Sequence, residues 1–157
     1  ISTLFLDFDG VLTDNKVFIN ELGLESVVCN RSDSLYLEIL RKQFLLKIII
    51  ISTEKNVVVK KRAQKLNVEC FQNIENKADF LKKYKSVNKI NKENLMYLGN
   101  DINDLGAMIE CKYKICPSDS SDPIKKISNI VLKTKGGQGV ISEIFKYTYE
   151  KIDYSLI

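Results

Sequence analysis

The sequence predicts an α/β fold, a Rossmann-like three-layer sandwich with a central parallel sheet. Short apolar runs alternate with longer amphipathic segments along the chain, and within the runs apolar residues are continuous. Strands that alternate with helices form βαβ units. Continuous apolar strands are typical of a parallel sheet that helices cover on both faces. With 157 residues, 45% of them hydrophobic, the chain is expected to form a single domain, 1–157.

Six short apolar runs are predicted as strands of this sheet. They are rich in β-branched or aromatic residues, and most are bounded by Gly, Asn, Asp or Ser, which mark turns. In chain order they are Thr3–Phe8, Lys47–Ile51, Cys70–Gln72, Leu95–Leu98, Tyr113–Cys116 and Ile130–Leu132. Two further β-rich pieces, Lys16–Asn20 and Ser26–Asn30, flank Glu21-Leu22-Gly23-Leu24, so a β-hairpin is expected over about 16–30.

The predicted helices are segments in which apolar residues recur three or four positions apart. They are Ser34–Gln43, Asn56–Leu66, Lys77–Tyr84, Ile102–Glu110, Pro123–Ile127 and Val140–Lys151. Ser32 or Asp33 is expected to cap the first of them. Parallel strands need long crossover connections, and these helices supply them.

The composition excludes several classes of chemistry. The chain has no histidine, which excludes Ser-His-Asp and Cys-His catalysis and every His-ligated metal site. Its four cysteines form no C-x-x-C pair, so small thiols in a reducing cytosol are expected rather than a zinc site or a disulfide framework. The formal charge of +4 is spread along the chain, so we expect no nucleic-acid partner. No apolar run approaches the roughly 18 residues that span a bilayer, so a cytoplasmic protein without a membrane partner is expected.

Polar residues follow the predicted strands at positions that should meet at one edge of the sheet. In parallel sheets, ligands bind beyond the carboxyl ends of the strands. The side chains found there carry carboxylate, hydroxyl, ammonium and amide groups: Asp7, Asp9, Ser52, Lys77, Asn100, Asp101 and Asp104. Hard oxygen ligands suit Mg²⁺. The set therefore predicts phosphate and Mg²⁺ chemistry.

The strongest signal is the segment Asp7-Phe8-Asp9-Gly10-Val11-Leu12-Thr13-Asp14. Phosphoryl transfer to water can be split into two displacements if a carboxylate attacks first. A second group must then protonate the leaving alkoxide and later activate water. Residues i and i+2 at the extended end of a strand point the same way, so Asp7 and Asp9 can face one substrate. Gly10 lets the chain turn away closely.

This segment resembles the first motif of phosphatases of the haloacid dehalogenase superfamily. Its Asp-Gly-Val-Leu-Thr-Asp form resembles the branch of 3-deoxy-octulosonate 8-phosphate phosphatases, and the resemblance covers nearly the whole chain. It implies an Mg²⁺-dependent phosphatase with Asp7 as nucleophile and Asp9 as general acid and base. The run that ends in Ser52 resembles the second motif, which implies that Ser52 binds the phosphate. Asn76-Lys77 resembles the third, which implies that Lys77 neutralises charge between the phosphate and Asp7.

The Gly-Asn-Asp-Ile-Asn-Asp segment after the fourth predicted strand resembles the fourth motif of the family. The resemblance implies that Mg²⁺ is bound by the Asp7 carboxylate, the backbone carbonyl of Asp9 and the first acidic residue of this motif. Here that residue is Asn100, whose amide oxygen binds Mg²⁺ without contributing charge. Asp101 is expected to share the metal site. Asp104 is expected either to bind the metal there or to orient Lys77.

The hairpin over 16–30 resembles the small flap of that branch, which stands in for the large cap domain of other phosphatases. The chain has no room for a large cap domain. The resemblance therefore implies that neighbouring subunits close the active site in a homotetramer. Lys135–Glu143 resembles the glycine-rich segment near the C-terminus of the family.

Residues near the second motif bear on the substrate. Octulosonate 8-phosphate phosphatases usually have Thr-Gly-Arg where this chain has Ser52-Thr53-Glu54. Glu54, with Lys65 on the following helix, is similar to enzymes that act on the nine-carbon 9-phosphates of deaminoneuraminate or sialic acid. Asp33 and Ser34 resemble the element that lines the substrate side, and Thr53 is expected to join them. A Glu at a helix start is also favoured by the helix dipole alone, so this structural explanation stays open.

The sequence thus predicts hydrolysis of a 2-keto-3-deoxy sugar acid phosphate through an aspartyl-phosphate, with the nine-carbon 9-phosphate favoured. An eight-carbon 8-phosphate is the first alternative. The second is a weakly active domain that tetramerises an acylneuraminate cytidylyltransferase. Asn100 is compatible with that alternative, whereas the presence of Asp7, Asp9, Ser52 and Lys77 favours an active enzyme.

Overall fold

The computed structural model describes residues 1–149, which contain eight strands and six α-helices. The strands are β1 (Thr3–Leu6), β2 (Phe18–Ile19), β3 (Glu25–Ser26), β4 (Lys47–Ile51), β5 (Glu69–Phe71), β6 (Leu95–Leu98), β7 (Tyr113–Cys116) and β8 (Ile130–Val131). The helices are α1 (Arg31–Gln43), α2 (Val57–Leu66), α3 (Lys77–Asn88), α4 (Ile102–Ile109), α5 (Asp122–Ile127) and α6 (Val140–Tyr149). A short 3₁₀ helix, Lys92–Asn94, precedes β6.

Six strands form one parallel sheet in the order β5-β4-β1-β6-β7-β8. The chain builds outward from β1 through β4 to β5, and then returns to the other side of β1 to add β6, β7 and β8. The strand order therefore reverses at β1, and a crevice forms beyond the carboxyl end of that strand. The predicted α/β sandwich with a central parallel sheet is confirmed.

The strands of the hairpin are shorter than predicted, and its second strand begins earlier in the chain than predicted. Its strands pair antiparallel with Phe18 opposite Ser26 and Ile19 opposite Glu25, and residues 27–30 are not part of a strand. The side chain of Asn20 accepts hydrogen bonds from the backbone N–H groups of Leu22 and Leu24, and this closes the turn close to the first strand. The turn fixes the register, so the predicted arm Ser26–Asn30 begins one residue too late and extends too far.

Several element boundaries also differ from the sequence-based expectation. Asn30 caps α1 through a hydrogen bond from the Ser32 N–H, so the expectation of a Ser32 or Asp33 cap was wrong. β1 ends at Leu6, two residues earlier than predicted, because the backbone turns at the Asp7–Gly10 loop. Helix α3 continues to Asn88, beyond the predicted end at Tyr84. The last predicted residues of the C-terminal helix, to Lys151, lie outside the described residues.

The sheet is buried on both faces because alternate residues of its strands face two apolar layers. Leu4 and Leu6 of β1 pack with residues of α1, α2 and α6 on one side. Phe5 faces the other side, where its ring lies 5.4 Å from that of Tyr84 in an edge-on arrangement. Burial on both sides explains the continuous apolar runs and holds the carboxyl edge of β1 rigidly.

No helix among residues 1–149 is long and apolar enough to cross a membrane. All four cysteines, Cys29, Cys70, Cys111 and Cys116, are free thiols, and the last two are buried.

The C-terminal end of α3 offers a test of the backbone geometry. Lys89 has a left-handed backbone with φ of 53°, where a side chain is strained and glycine is not. Lys89→Gly is expected to raise the free energy of unfolding by about 0.5–1 kcal/mol. Lys83→Gly, in the exposed interior of the same helix, should lower it by about 1 kcal/mol. Urea unfolding of both variants measures this, and equal destabilisation would contradict the assigned helix end.

Candidate active site

The carboxyl ends of three neighbouring strands bring the predicted polar residues together. Asp7 follows β1, Ser52 follows β4 and Asn100 lies just after β6. Lys77 is the first residue of α3, and its side chain reaches the same region although β5 is not adjacent to β1. The predicted convergence at one sheet edge therefore occurs in three dimensions.

Lys77 lies between two buried carboxylates. Its Nζ is 2.7 Å from Oδ1 of Asp7 and 2.7 Å from Oδ1 of Asp104, and none of its side chain is exposed. Each of these contacts is a charge-assisted hydrogen bond, and the low surrounding polarity strengthens it. The three side chains carry one positive and two negative charges when all are ionised.

Asp104 has four hydrogen-bond donors within the protein. Besides Lys77, the hydroxyl of Tyr97 donates to Oδ1 at 2.8 Å, and the backbone N–H groups of Asn100 and Asp101 donate to Oδ2 at 2.9 and 3.4 Å. The carboxylate is completely buried and does not line the cavity. This arrangement suits the expectation that Asp104 orients the lysine. It leaves no free face for a metal ligand.

The electrostatic environment shifts the ionisation of this group. Burial and the nearby Asp104 carboxylate raise the pKa of Asp7 to about 8, against the lowering effect of Lys77. For Lys77, burial would lower the pKa, but the two carboxylates outweigh it, so the pKa is raised and the ammonium stays charged. Two carboxylates thus share a single cation, and a further positive charge near Asp7 would stabilise its ionised form.

The loop after β1 presents Asp9 to the cavity. The Thr13 hydroxyl donates to Oδ1 of Asp9 at 3.4 Å and accepts from the N–H of Gly10 at 3.2 Å. Burial raises the pKa of Asp9, and the carboxylates of Glu54 and Glu25 raise it further. A half-buried acid with a raised pKa is suited to donate a proton.

Both the backbone conformation and the close packing at position 10 require a glycine there. Gly10 has a φ of 78°, and a Cβ there would lie 1.9 Å from the Asn100 amide nitrogen. From the other side, the glycine-rich loop approaches so closely that a Cβ on Gly136 would lie 2.0 Å from the Gly10 carbonyl oxygen. The N–H of Gly137 donates to the Val11 carbonyl at 2.9 Å. The predicted glycine-rich segment therefore packs directly against the loop that follows β1.

Asn100 lies at the edge of the cavity with an unpartnered oxygen. Its side-chain Oδ1 is buried and makes no hydrogen bond within the described protein. Such an atom is costly unless a ligand satisfies it. Asp101 also lines the cavity, and its Oδ1 caps α4 by accepting from the N–H of Ile102 at 2.7 Å.

These atoms fit a hard cation, although they do not form an all-carboxylate cluster. Among residues 1–149, no group of three or more Asp, Glu, Cys or His side chains could hold a metal ion together. A metal would instead use one carboxylate, from Asp7, with the Asn100 amide oxygen and a backbone carbonyl such as that of Asp9. Mg²⁺ accepts such oxygen donors and keeps several waters.

The residues after β4 form the next wall of the site, with Ser52 buried just behind the cavity lining. Ser52 is buried, and its Oγ accepts a hydrogen bond from the N–H of Glu54 at 3.0 Å, which leaves the hydroxyl proton free to be donated. Thr53 and Glu54 are exposed and line the cavity. The cavity has a volume of about 570 Å³, within the range of small-molecule sites.

Three predicted substrate-binding residues lie outside the lining of this cavity. Lys65 is exposed in the last turn of α2. Ser34 accepts a hydrogen bond from Arg62 at 3.0 Å. Asp33 is buried, with Oδ1 accepting from the N–H of Ile141 at 3.1 Å and Oδ2 without a hydrogen-bond partner among the described residues. Within this chain, Asp33 and Ser34 join α1 to its neighbours.

Sequence reasoning missed the contribution of the hairpin and of the start of α2. The cavity lining includes the hairpin residues Asn15, Val17, Glu25 and Val27, and also Asn56. The Nδ2 group of Asn56 donates to Oε2 of Glu25 at 2.9 Å. The expectation that the hairpin is a flap was the only available signal, because no local pattern marks which hairpin residues face inward.

The sequence of this chain is similar to those of known hydrolases. A family model described as a haloacid dehalogenase-like hydrolase matches residues 45–144. The 3-deoxy-D-manno-octulosonate 8-phosphate phosphatase KdsC of Escherichia coli K12 is 26% identical over 149 residues, which are 92% of this chain and 77% of that protein.

Solved structures resemble the whole of the fold. A haloacid dehalogenase family hydrolase from Streptomyces avermitilis superposes with a TM-score of 0.91 at 33% identity, covering 99% of this chain and 91% of that one. The 3-deoxy-D-manno-octulosonate 8-phosphate phosphatase of Moraxella catarrhalis, solved with magnesium, phosphate and its sugar acid, has a TM-score of 0.89 at 25% identity. The alignment covers 96% of this chain and 86% of that one.

Asp33 makes stability depend on pH. Burial raises its pKa to about 6, against the lowering effects of the Ile141 N–H and of Arg62. Between pH 4 and 6 the folded state therefore binds more protons than the unfolded state, and stability falls as pH rises through 6. This titration changes the free energy of unfolding by at most about 3 kcal/mol.

Asp33→Asn should remove this part of the pH dependence. Urea unfolding at pH 5 and pH 7.5 measures it, with the surface variant Asp122→Asn as control. The wild type and the control should lose more stability between the two pH values than Asp33→Asn does. Equal losses in all three proteins would show that Asp33 does not titrate in this range.

Proposed function

Because the chain belongs to the haloacid dehalogenase-like hydrolases, we propose that it hydrolyses a 2-keto-3-deoxy sugar acid phosphate through a phosphoaspartate on Asp7. The chain is a sugar phosphatase of the branch that contains the 3-deoxy-octulosonate 8-phosphate phosphatases. One observation supports the mechanism above the others: Asp7 lines an open cavity while Lys77 and Asp104 hold it from behind.

The proposed chemistry has two steps. Asp7 attacks phosphorus and forms an acyl phosphate while Asp9 gives its proton to the departing sugar oxygen. Asp9, now ionised, takes a proton from water, whose oxygen attacks the same phosphorus and releases inorganic phosphate and free Asp7. Ser52 donates its hydroxyl proton to a phosphoryl oxygen, and Lys77 offsets the charge that builds up between Asp7 and the phosphate.

We propose Mg²⁺ as the cofactor, held by the Asp7 carboxylate, the Asp9 carbonyl and the Asn100 amide oxygen. Two features of this chain support it: the unpartnered, buried Oδ1 of Asn100, and the deficit of positive charge around Asp7. When bound, the ion supplies positive charge that neutralises the phosphoryl group and the attacking carboxylate. Asp101 lines the cavity nearby, so its carboxylate adds to the local attraction for a cation.

The substrate we favour is a nine-carbon 9-phosphate of the deaminoneuraminate or sialic acid type. The support is Glu54, which lines the cavity at the position where octulosonate 8-phosphate phosphatases usually carry Arg. Lys65 is not part of that lining, so it would need to act on a substrate or a subunit that reaches beyond Glu54. The eight-carbon 8-phosphate, the substrate named for the relatives of known activity, is the alternative.

We also propose a homotetramer in the cytoplasm. The hairpin exposes large apolar side chains that this protomer does not cover, namely Phe18, Ile19, Leu22 and Leu24, with exposed fractions of 67%, 64%, 77% and 62%. Contiguous exposed apolar surface of this kind is typical of an interaction site. The four free thiols support a reducing compartment. Tetramerisation of a larger cytidylyltransferase would use the same surface, which is why that alternative is retained.

The mechanism predicts that Asp7→Asn abolishes phosphate release. An amide is not a nucleophile, so kcat should fall more than about a thousandfold with Mg²⁺ present. Released phosphate is measured with a sugar acid phosphate, and mass spectrometry after acid quenching should find phosphorylated Asp7 only in the wild type. Asp79→Asn, at an exposed carboxylate of α3, is the control. Undiminished turnover by Asp7→Asn would refute the mechanism.

The substrate preference predicts a change when Glu54 is replaced. The wild type should have a higher kcat/KM for the nine-carbon than for the eight-carbon substrate, and Glu54→Arg should reverse the order by about tenfold, because Arg binds a carboxylate bidentately. Steady-state kinetics on both substrates measure it. Glu54→Gln separates the loss of charge from the gain of the guanidinium. A preference for eight carbons in the wild type would overturn the assignment.

A further inference from the structure

Glu25 reaches the cavity from the hairpin and stands near Glu54 and Asn56. It is the only residue of β3 that lines the cavity, and its backbone pairs with Ile19 of β2. The Oε2 atom of Glu25 accepts a hydrogen bond from another side chain. Its Oε1 atom takes part in no hydrogen bond or ion pair within residues 1–149. One carboxylate oxygen is therefore held by the protein and the other is available to a ligand.

Asn56 holds Glu25 in a defined orientation. The Oδ1 atom of Asn56 caps α2 by accepting from the N–H of Val58 at 3.0 Å. Because the cap commits the oxygen, only the amide nitrogen of this side chain remains to bind another group. That nitrogen donates to Oε2 of Glu25 at 2.9 Å. The local requirement for a helix cap thus determines where the carboxylate lies.

A second contact ties the segment after this arm to α2. Arg62 donates to the carbonyl of Asn30 at 3.0 Å, and Asn30 is the N-cap of α1, beyond the end of β3. The segment 25–30, which runs from β3 to α1, is therefore attached to α2 at both ends, by Asn56 and by Arg62. Glu25 is positioned by the protomer itself and does not depend on substrate for its placement.

The charges of the cavity lining decide what this carboxylate can recognise. Among the described residues, the lining contains Asp7, Asp9, Glu25, Glu54 and Asp101, and it contains no Lys or Arg. A wall made of Glu25 and Glu54 repels the carboxylate of a sugar acid and accepts hydrogen bonds from hydroxyl groups. A leaving group rich in hydroxyls fits this wall, and its own carboxylate must face another direction.

We propose that Glu25 is a specificity-determining residue, which Asn56 orients so that its free carboxylate oxygen accepts hydroxyl groups of the leaving sugar. The inference rests on the proposed phosphatase function and extends it to how the sugar is oriented. It assigns hydroxyl recognition to the hairpin of the same protomer, whereas the phosphoryl group is handled by residues at the ends of β1, β4 and β6.

The test compares two substrates that differ in hydroxyl content. Glu25→Ala should raise KM for a nine-carbon sugar acid phosphate by about tenfold to a hundredfold, because a charge-assisted hydrogen bond is lost. Turnover of p-nitrophenyl phosphate should stay within about twofold, because its leaving group has no sugar hydroxyls and, as a weak base, depends little on the proton that Asp9 donates. Glu25→Gln keeps an acceptor oxygen and should show a smaller effect. Glu21→Gln, at the exposed hairpin turn outside the cavity lining, is the matched control.

Asn56 provides an independent variant that preserves the helix cap. Asn56→Asp is an equally good cap, but it places a carboxylate against Glu25 and removes the donor. It should reproduce the KM effect of Glu25→Ala on the sugar substrate. Adding Glu25→Ala to Asn56→Asp should change KM little further, since the two act through one contact.

The outcomes separate this inference from the function on which it rests. If wild type hydrolyses neither substrate with Mg²⁺, the proposed function fails. If wild type is active and Glu25→Ala changes KM for the sugar substrate no more than Glu21→Gln does, the inference is overturned. An equal loss of activity on both substrates would also overturn the inference. That result would mean that Glu25 supports the hairpin or the phosphoryl site and does not bind the sugar hydroxyl groups.

Discussion

The ammonium of Lys77 lies between Asp7 and Asp104 with no exposed surface, and the rest of the site is arranged around this contact. Removing either partner of a buried ion pair leaves an uncompensated charge in a medium of low polarity. The two carboxylates therefore need the lysine, and the lysine needs both. This mutual dependence holds the end of β1, the start of α3 and the start of α4 in one relative position.

The same contact underlies the proposed chemistry. Burial and the second carboxylate together outweigh Lys77, so the pKa of Asp7, which lines the cavity, is raised to about 8. Tyr97 and two backbone N–H groups bind Asp104 on the opposite side, so that carboxylate is fully satisfied and Asp7 is not. An electrophilic ligand is drawn to the under-compensated carboxylate. The buried ion pair and the proposed chemistry thus both depend on the difference in hydrogen bonding between Asp7 and Asp104.

In the proposed mechanism, the residues that bind the sugar and the residues that transfer the phosphoryl group come from different parts of the structure. The residues that would handle the phosphoryl group come from the rigid edge of the sheet, whereas much of the wall opposite them comes from the hairpin and the N-terminus of α2. Such a division lets the outer wall vary without disturbing Asp7, Lys77 and Asp104. The exposed side chains of Phe18, Ile19 and Leu22 lie outside the cavity lining, so the same hairpin leaves apolar surface that suits contact with another chain.

The sequence alone determined the layered parallel fold and the residues at its carboxyl edge, because periodicity and burial act over a few neighbouring residues. The motif residues Asp7, Ser52, Lys77 and Asn100 are predictable for the same reason, as each lies within two residues of a strand end or begins a helix. Only the tertiary structure decided that Asp104 turns inward to Lys77, that Lys65 lies outside the cavity and that Glu25 lies within it. These placements depend on contacts between residues far apart in the chain, such as Glu25 with Asn56 and Asp33 with Ile141, and no local pattern encodes them.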